Sequence, residues 1–138
     1  MTRALLASLC VVLAACSGPG RQQLVAEEEA NFVLHVSNQG PGLKLVNITV
    51  HIDGRLAIEE PFDVGEGEDF QHNWNTYCFR LDPGKHVLTA ESGWGRTTHE
   101  RTFELPAKRW AVLSLWASSA TDTPHFSFEI RKEAPAFE

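Results

Sequence analysis

The chain has 138 residues and a formal net charge of −6, from 12 basic and 18 acidic side chains. This length is that of one domain with enough apolar residues to bury a core, so two domains are not expected. No basic patch of the kind that neutralises phosphates is apparent, and we therefore expect no nucleic-acid partner.

The N-terminus, MTRALLASLCVVLAACSGPG, has the three parts of a secretory signal peptide. Arg3 supplies a positive charge, residues 4–15 are apolar, and small residues precede Cys16. A membrane-spanning helix needs roughly 20 apolar residues, which is more than this segment contains. We predict that residues 1–15 are removed by cleavage between Ala15 and Cys16, which takes Arg3 with them.

The four residues Leu13, Ala14, Ala15 and Cys16 resemble the lipobox of bacterial lipoproteins. In that family the cysteine thiol receives a diacylglycerol and the peptide bond before it is cut. The resemblance implies an acylated Cys16, with chains such as palmitate, and a membrane partner through the lipid anchor. Ser17, where some lipoproteins have Asp, implies sorting to the outer membrane, facing the periplasm or the surface. The alternative is that Cys16 merely adjoins an ordinary cleavage site.

Residues 16–30 have no sustained periodicity and contain Gly18, Pro19, Gly20 and a run of three glutamates. This composition predicts a lipidated tether, with a short helical turn at the glutamates.

From residue 31 onward the pattern is that of β-strands. In the segment 43–53 the apolar side chains of Val46, Ile48, Val50 and Ile52 alternate with polar ones, as in a half-buried strand. Asp53 and Gly54 then supply the positive φ angles of a tight hairpin. Further strands are predicted within 32–38, 55–60, 69–81, 86–92, 97–105, 109–118 and 125–131. The fold class predicted is an all-β, immunoglobulin-like antiparallel sandwich of about eight strands over residues 31–132, followed by a flexible tail at 133–138. Closure into a barrel is the main alternative.

Two short motifs resemble those of known β-domains. The segment 81–88, LDPGKHVL, is similar to the turn before a late strand in immunoglobulin-like, fibronectin-like, PEGA and transthyretin-like domains, with His86 where many have tyrosine. The segment 50–58, VHIDGRLAI, resembles the hairpin of PEGA-type surface domains. These resemblances imply adhesion, scaffolding or envelope association rather than catalysis.

The segment 70–78, FQHNWNTYC, changes its apolar phase in the middle. His72 and Trp74 share one face and Tyr77 has the opposite parity, so we predict a β-bulge at residues 75–76. His72 and Trp74 are then expected to face the core, which leaves Asn73 and Asn75 free to meet a ligand. Cys78, without a partner for a disulfide, is interpreted as a small buried apolar residue.

Three tryptophans are assigned by their positions. Trp110 and Trp116 share one face of a strand that is apolar on both faces, which predicts a central strand with indoles partly covering its outer side. Trp94 lies in the short turn GWG, where little core is within reach. We therefore take Trp94 as a candidate for contact with a glycan or a partner protein.

Candidate metal ligands are sparse. Asp63, Glu66, Glu68 and Asp69 could offer oxygen atoms to calcium, but their spacing does not match an EF-hand, and a solvated acidic loop is the preferred interpretation. The six histidines are scattered without zinc-site spacing, and no nucleophile motif is present. We expect no cofactor and no enzyme activity; a metal-dependent hydrolase with ligands from several strands is the second alternative.

The sequence thus predicts a small lipoprotein of the bacterial cell envelope with a non-catalytic binding or structural domain. Its partner is expected to be another envelope protein or a glycan, and a glycan-binding module that uses an exposed tryptophan is the first alternative.

Overall fold

The computed structural model describes residues 20–69, 73–93, 97–119 and 121–136. The predicted signal peptide, Cys16 and Trp94 lie outside these residues. No helix in the described ranges is long and apolar enough to cross a membrane. The elements are eight strands and two single 3-10 turns: β1 (Phe32–Asn38), β2 (Leu45–Ile52), β3 (Arg55–Asp63), β4 (Asn75–Phe79), β5 (Gly84–Ser92), β6 (Thr98–Leu105), β7 (Arg109–Trp116) and β8 (His125–Arg131), with turns at Glu27–Glu29 and Gly67–Asp69.

The strands form two separate four-stranded sheets that pack face to face. The first sheet has the order β4-β1-β7-β8, and the second has the order β3-β2-β5-β6. This confirms the predicted all-β sandwich of eight strands and decides against closure into a barrel. The prediction that all pairing is antiparallel is wrong at one place, because β1 and β7 are parallel. Side-chain periodicity is the same for both directions of pairing, so the sequence pattern carries no information on this point.

The two ends of the sandwich have different connections, and we name them for use below. The tether end holds the chain segments at residues 20–24, 53–54, 80–83 and 106–108. The far end holds those at 39–44, 64–69, 117–119 and 121–124, together with residues 93 and 97. Strands β1 and β7 both run from the tether end to the far end.

The core lies between the sheets and follows the predicted alternation. Val46, Ile48, Val50 and Ile52 are all buried, as expected for the inner face of β2. Aromatic rings join the two sheets: Phe103 of β6 stacks on Phe32 of β1 with ring centroids 4.9 Å apart. Burial of this apolar surface is the main source of stability of the fold.

The hairpin between β2 and β3 is confirmed in detail. Asp53 and Gly54 have φ angles of 54° and 78°, the left-handed conformation that a tight hairpin requires. The pairing register shifts once, between Val50 and His51.

The prediction for the segment before Cys78 is partly wrong. β4 begins only at Asn75, and its register with β1 runs without interruption from the pair Val36 and Asn75 to the pair Phe32 and Phe79. The expected bulge at residues 75–76 is therefore absent from β4. The change of phase arises because residues 73 and 74 precede the strand, so their side chains are not bound to the alternation of the sheet. His72 lies outside the described residues.

The part of the predicted tether nearest the domain packs against the sandwich. Gln22 N–H donates to the Leu56 carbonyl at 2.7 Å, Val25 N–H donates to the Cys78 carbonyl at 3.0 Å, and Leu24 pairs with Phe79. In the structure the domain thus begins near Gln22, rather than at Asn31 as the sequence suggested.

Cys78 is a free thiol that is half-buried on the outer face of the first sheet, not in the core. Burial raises the pKa of Cys78, and the nearby Glu27 carboxylate raises it further. The expectation of a buried apolar cysteine is therefore corrected: Tyr77 and Phe79, its neighbours in β4, are the residues that enter the core.

Candidate functional site

A groove with an aromatic wall lies at the far end, beside the connection from β7 to β8. It has a volume of about 520 Å³ and is lined by Pro41, Trp116, Ala117, Ser118, Asp122, Thr123 and His125. We call it the Trp116 groove. Trp116 is the last residue of β7 and is paired in register with His125, the first residue of β8.

Trp116 points outward because strand parity sends Leu113 and Leu115 into the core. Its side chain is 39% exposed. The indole N–H donates to the Ser127 hydroxyl at 3.0 Å, which anchors the ring to β8 and leaves an aromatic surface open to solvent. This agrees with the prediction that β7 is central and that its tryptophans cover the outer face: β7 lies between β1 and β8, and Trp110 is half-buried.

The neighbouring loops hold the groove in shape through backbone contacts. Gln39 N–H donates to the Leu115 carbonyl at 2.7 Å, and Gly42 N–H donates to the Ala117 carbonyl. Gly40 lies so close to β7 that a Cβ atom there would stand 2.8 Å from the Ala117 nitrogen, which explains why this position needs glycine. On the other side, the Thr97 hydroxyl donates to the Pro124 carbonyl.

The groove combines an apolar ring with polar groups of several kinds. Around the indole lie a carboxylate from Asp122, an imidazole from His125 and hydroxyls from Ser118 and Thr123. Such a set can stack on a flat apolar surface while it donates and accepts hydrogen bonds at the rim, which is how protein and sugar ligands are held.

The sequence-predicted contact residues occupy a different part of the far end. Asn73 and Asn75 are exposed, as expected, and Trp74 is half-buried. Asn73 donates to the Asp63 carboxylate at 3.1 Å, and the same oxygen accepts the Gly65 N–H. Asp63 therefore organises its own loop.

Glu66 and Glu68 are exposed in the same loop, and the side chain of Asp69 is outside the described residues. Within the part of the chain that the structure describes, no group of three or more His, Cys, Asp or Glu side chains could hold a metal ion.

A second polar arrangement lies at the tether end. The buried His86 ring contacts the Asp53 carboxylate through Nδ1 and the Asp82 carbonyl through Nε2, each at 2.6 Å. Burial opposes the charge of the ring, but these two acceptors outweigh it and raise the pKa of His86. Because both ring nitrogens face acceptors, the geometry is that of an imidazolium. His86 thus joins the hairpin turn to the segment before β5, a structural role consistent with its place in the turn motif.

Tyr77 forms a similar link between the edges of the two sheets. Its hydroxyl donates to the Glu60 carboxylate of β3. Burial raises the pKa of Tyr77 well above its ordinary value, and the neighbouring carboxylate adds to the effect. The phenol is therefore a neutral donor at any physiological pH.

Comparison of the chain with protein-family models and with curated proteins finds no match. The functional conclusion therefore depends on the groove and on the charges of the molecule itself. Sequence reasoning assigned Trp116 to the outer face but did not select it as a site. The available signal was its place at the end of a strand, one residue before the polar segment SSATDTPH, which begins at Ser118.

Proposed function

We propose that the chain is a lipid-anchored protein of the bacterial envelope whose sandwich is a non-catalytic binding domain, and that it contacts its partner through the Trp116 groove. The observation that carries this proposal is the distance between the N-terminal segment, which would connect the domain to the lipid, and the Trp116 groove. Leu24 pairs with Phe79, Phe79 pairs with Phe32, and Phe32 pairs with Arg109 at the start of β7, so these four residues stand at the same height in the first sheet. Trp116 lies seven residues further along β7, or about 23 Å at roughly 3.3 Å per residue.

The short tether supports the same arrangement. Six residue steps separate Cys16 from Gln22, which among the described residues is the first with a backbone hydrogen bond to the sandwich. At no more than about 3.5 Å per step, they span at most about 21 Å. A chain anchored at Cys16 keeps its tether end close to the bilayer, and the groove is directed away from it.

The anchor makes a direct prediction. Cys16→Ala should abolish incorporation of labelled palmitate in growing cells, because no other cysteine follows small residues in this way. Cys10→Ala, in the same signal segment, should leave the label unchanged. Incorporation that survives Cys16→Ala would contradict the lipid anchor.

The groove makes a second prediction, tested in intact cells with a photo-crosslinking residue. Placed at Ser118, it should capture a partner, whereas the same residue at Thr102, on the outer face of β6, should not. Trp116→Ala should weaken capture at Ser118 about 30-fold, the effect of losing an aromatic contact worth about 2 kcal/mol at an interface centre. Leu45→Ala removes an apolar side chain that is more exposed than Trp116 and lies on the other sheet, and it should have no effect.

The second candidate function is glycan binding, which the polar rim around the Trp116 indole favours. In that case cell-wall saccharide fragments should change the tryptophan fluorescence of the purified protein, and Trp116→Ala should remove much of the change. A flat titration would leave a protein partner as the explanation. Absence of both crosslinks and saccharide binding would refute the groove as the contact surface.

A further inference from the structure

Three arginines from distant parts of the sequence meet at the tether end. Two adjoining clefts, of about 580 and 440 Å³, share Gln22, Arg55, Arg80, Leu81 and Asp82, and Arg21 lines the larger one. We call this surface the basic cleft. The hairpin turn presents Arg55, the segment after β4 presents Arg80, and the docked N-terminal segment presents Arg21.

The charges of these arginines are largely uncompensated. Within the described ranges the ion pairs are those of His86 with Asp53 and of Arg131 with Glu129, so none involves an arginine of the cleft. Arg80 uses one N–H to reach the Glu29 carbonyl at 3.1 Å. Asp53 is occupied by His86 and by the Val87 N–H. Asp82 is then the one carboxylate of the cleft that offsets a positive charge.

The cleft is part of a wider asymmetry of charge. Apart from Arg3 and Arg96, which are outside the described residues, the chain has ten basic side chains. Of these ten, Lys44 lies at the far end, and Arg101 lies along β6 at the level of Arg55, to which the paired residues Leu88 and Ile52 connect it. The other eight lie near the tether end: Arg21, Arg55, Arg80, Lys85, Lys108, Arg109, Arg131 and Lys132. Glu27–Glu29 beside β4, Glu104 and Glu133 also lie near this end, whereas the long acidic run at 59–69 leads into the far end.

Guanidinium groups bind phosphate oxygens through paired hydrogen bonds, and they do so best where no carboxylate already occupies them. A short tether also keeps this surface beside the headgroups, which raises their effective concentration at the cleft. Anionic lipids attract basic side chains within about 10 Å of the surface at ordinary salt. These conditions favour membrane phosphates over a diffusing anion.

We propose that the basic cleft binds the phosphate groups of anionic lipids in the membrane that anchors the chain. The domain then docks on the bilayer by its tether end and holds the Trp116 groove outward. This inference rests on the proposed function, because docking of this kind requires the lipid anchor.

The test uses the mature lipidated chain in vesicles, of phosphatidylcholine alone or mixed with phosphatidylglycerol, and measures amide hydrogen exchange. Exchange at residues 53–56 and 80–85 should be slower on the anionic vesicles and should recover at high salt. Residues 117–119 and 121–124, at the far end, should exchange equally on both.

Two variants test the charges, one at the basic cleft and one at the far end. Arg55→Gln with Arg80→Gln should lower the docking equilibrium about 25-fold, since one basic group near an anionic surface contributes about fivefold. Its exchange at 53–56 and 80–85 should return to the rate on neutral vesicles. Lys44→Gln, which removes a charge at the far end, should retain the protection. If a variant is unstable, the test still rests on the exchange of the unaltered protein, compared between the two kinds of vesicle.

Flotation on neutral vesicles at high salt distinguishes failure of the lipid anchor from failure of docking by the basic cleft. A protein that does not float lacks the anchor, which overturns the proposed function and this inference with it. A protein that floats but exchanges equally on both lipids overturns docking alone. Equal protection by inorganic phosphate on neutral vesicles would show a site for soluble anions and would also overturn membrane docking.

Discussion

Replacing Phe103 by Ala should lower the free energy of unfolding by about 3–5 kcal/mol, the usual cost of deleting a buried aromatic ring. Phe103 is 5% exposed and stacks on Phe32 of the opposite sheet, with Phe128 and His86 as its other ring neighbours. Removal of the ring leaves a cavity between the two sheets. Domains of this size are stable by only about 5–15 kcal/mol, so the variant should be close to unfolding at ambient temperature.

Urea unfolding of the purified protein, followed by tryptophan fluorescence, measures this effect. Leu45→Ala is the matched control, because Leu45 is 67% exposed on the outer face of β2, and its loss should change stability by no more than about 0.5 kcal/mol. Similar losses for the two variants would mean that the core between Phe32 and Phe103 does not hold the sheets together.

The stability of the domain should fall as the pH rises through the raised pKa of His86. The protonated ring donates to both Asp53 and the Asp82 carbonyl, and the neutral ring can donate to only one of them. The folded state therefore binds this proton more tightly than the unfolded state. Its contribution is fully present below the ordinary histidine pKa of about 6.5 and is lost above the folded value. A hydrogen bond to a charged group contributes about 1.5–3 kcal/mol.

Asp53→Asn tests the same link without disturbing the turn. Asparagine tolerates the positive φ of residue 53 and can still accept the Val87 N–H. Without the carboxylate the pKa of His86 should fall, and the loss of stability from about pH 6 to 9 should become shallower.

His35 also contributes to the pH dependence, and the comparison of the original protein with Asp53→Asn removes its contribution. Burial lowers the pKa of His35 against the opposing charge of Glu27, so its contribution has the opposite sign in both proteins. Equal profiles for the original protein and Asp53→Asn would contradict the imidazolium link.

Neither of the two proposed binding surfaces was predicted as a site, for a common physical reason. The chain has no basic patch in its linear sequence, since the three arginines of the cleft are each isolated there: Arg21, Arg55 and Arg80. The expectation of no basic patch does not extend to the folded surface. The fold brings them together because the N-terminal segment pairs with β4 beside the hairpin turn. Trp116 likewise gains its polar neighbours from a loop and from the start of the next strand.

The local structure of the chain could be predicted from the amino-acid sequence. Two-residue alternation specified the buried faces of β2 and β7, and Asp53 with Gly54 specified a tight hairpin, because these features depend on residues close together in the chain. Only the tertiary structure decided the parallel pairing of β1 with β7, the start of β4 at Asn75 and the convergence of the arginines. Each of these depends on which distant segments become neighbours, and periodicity records the face of a side chain but not the identity of the strand beside it.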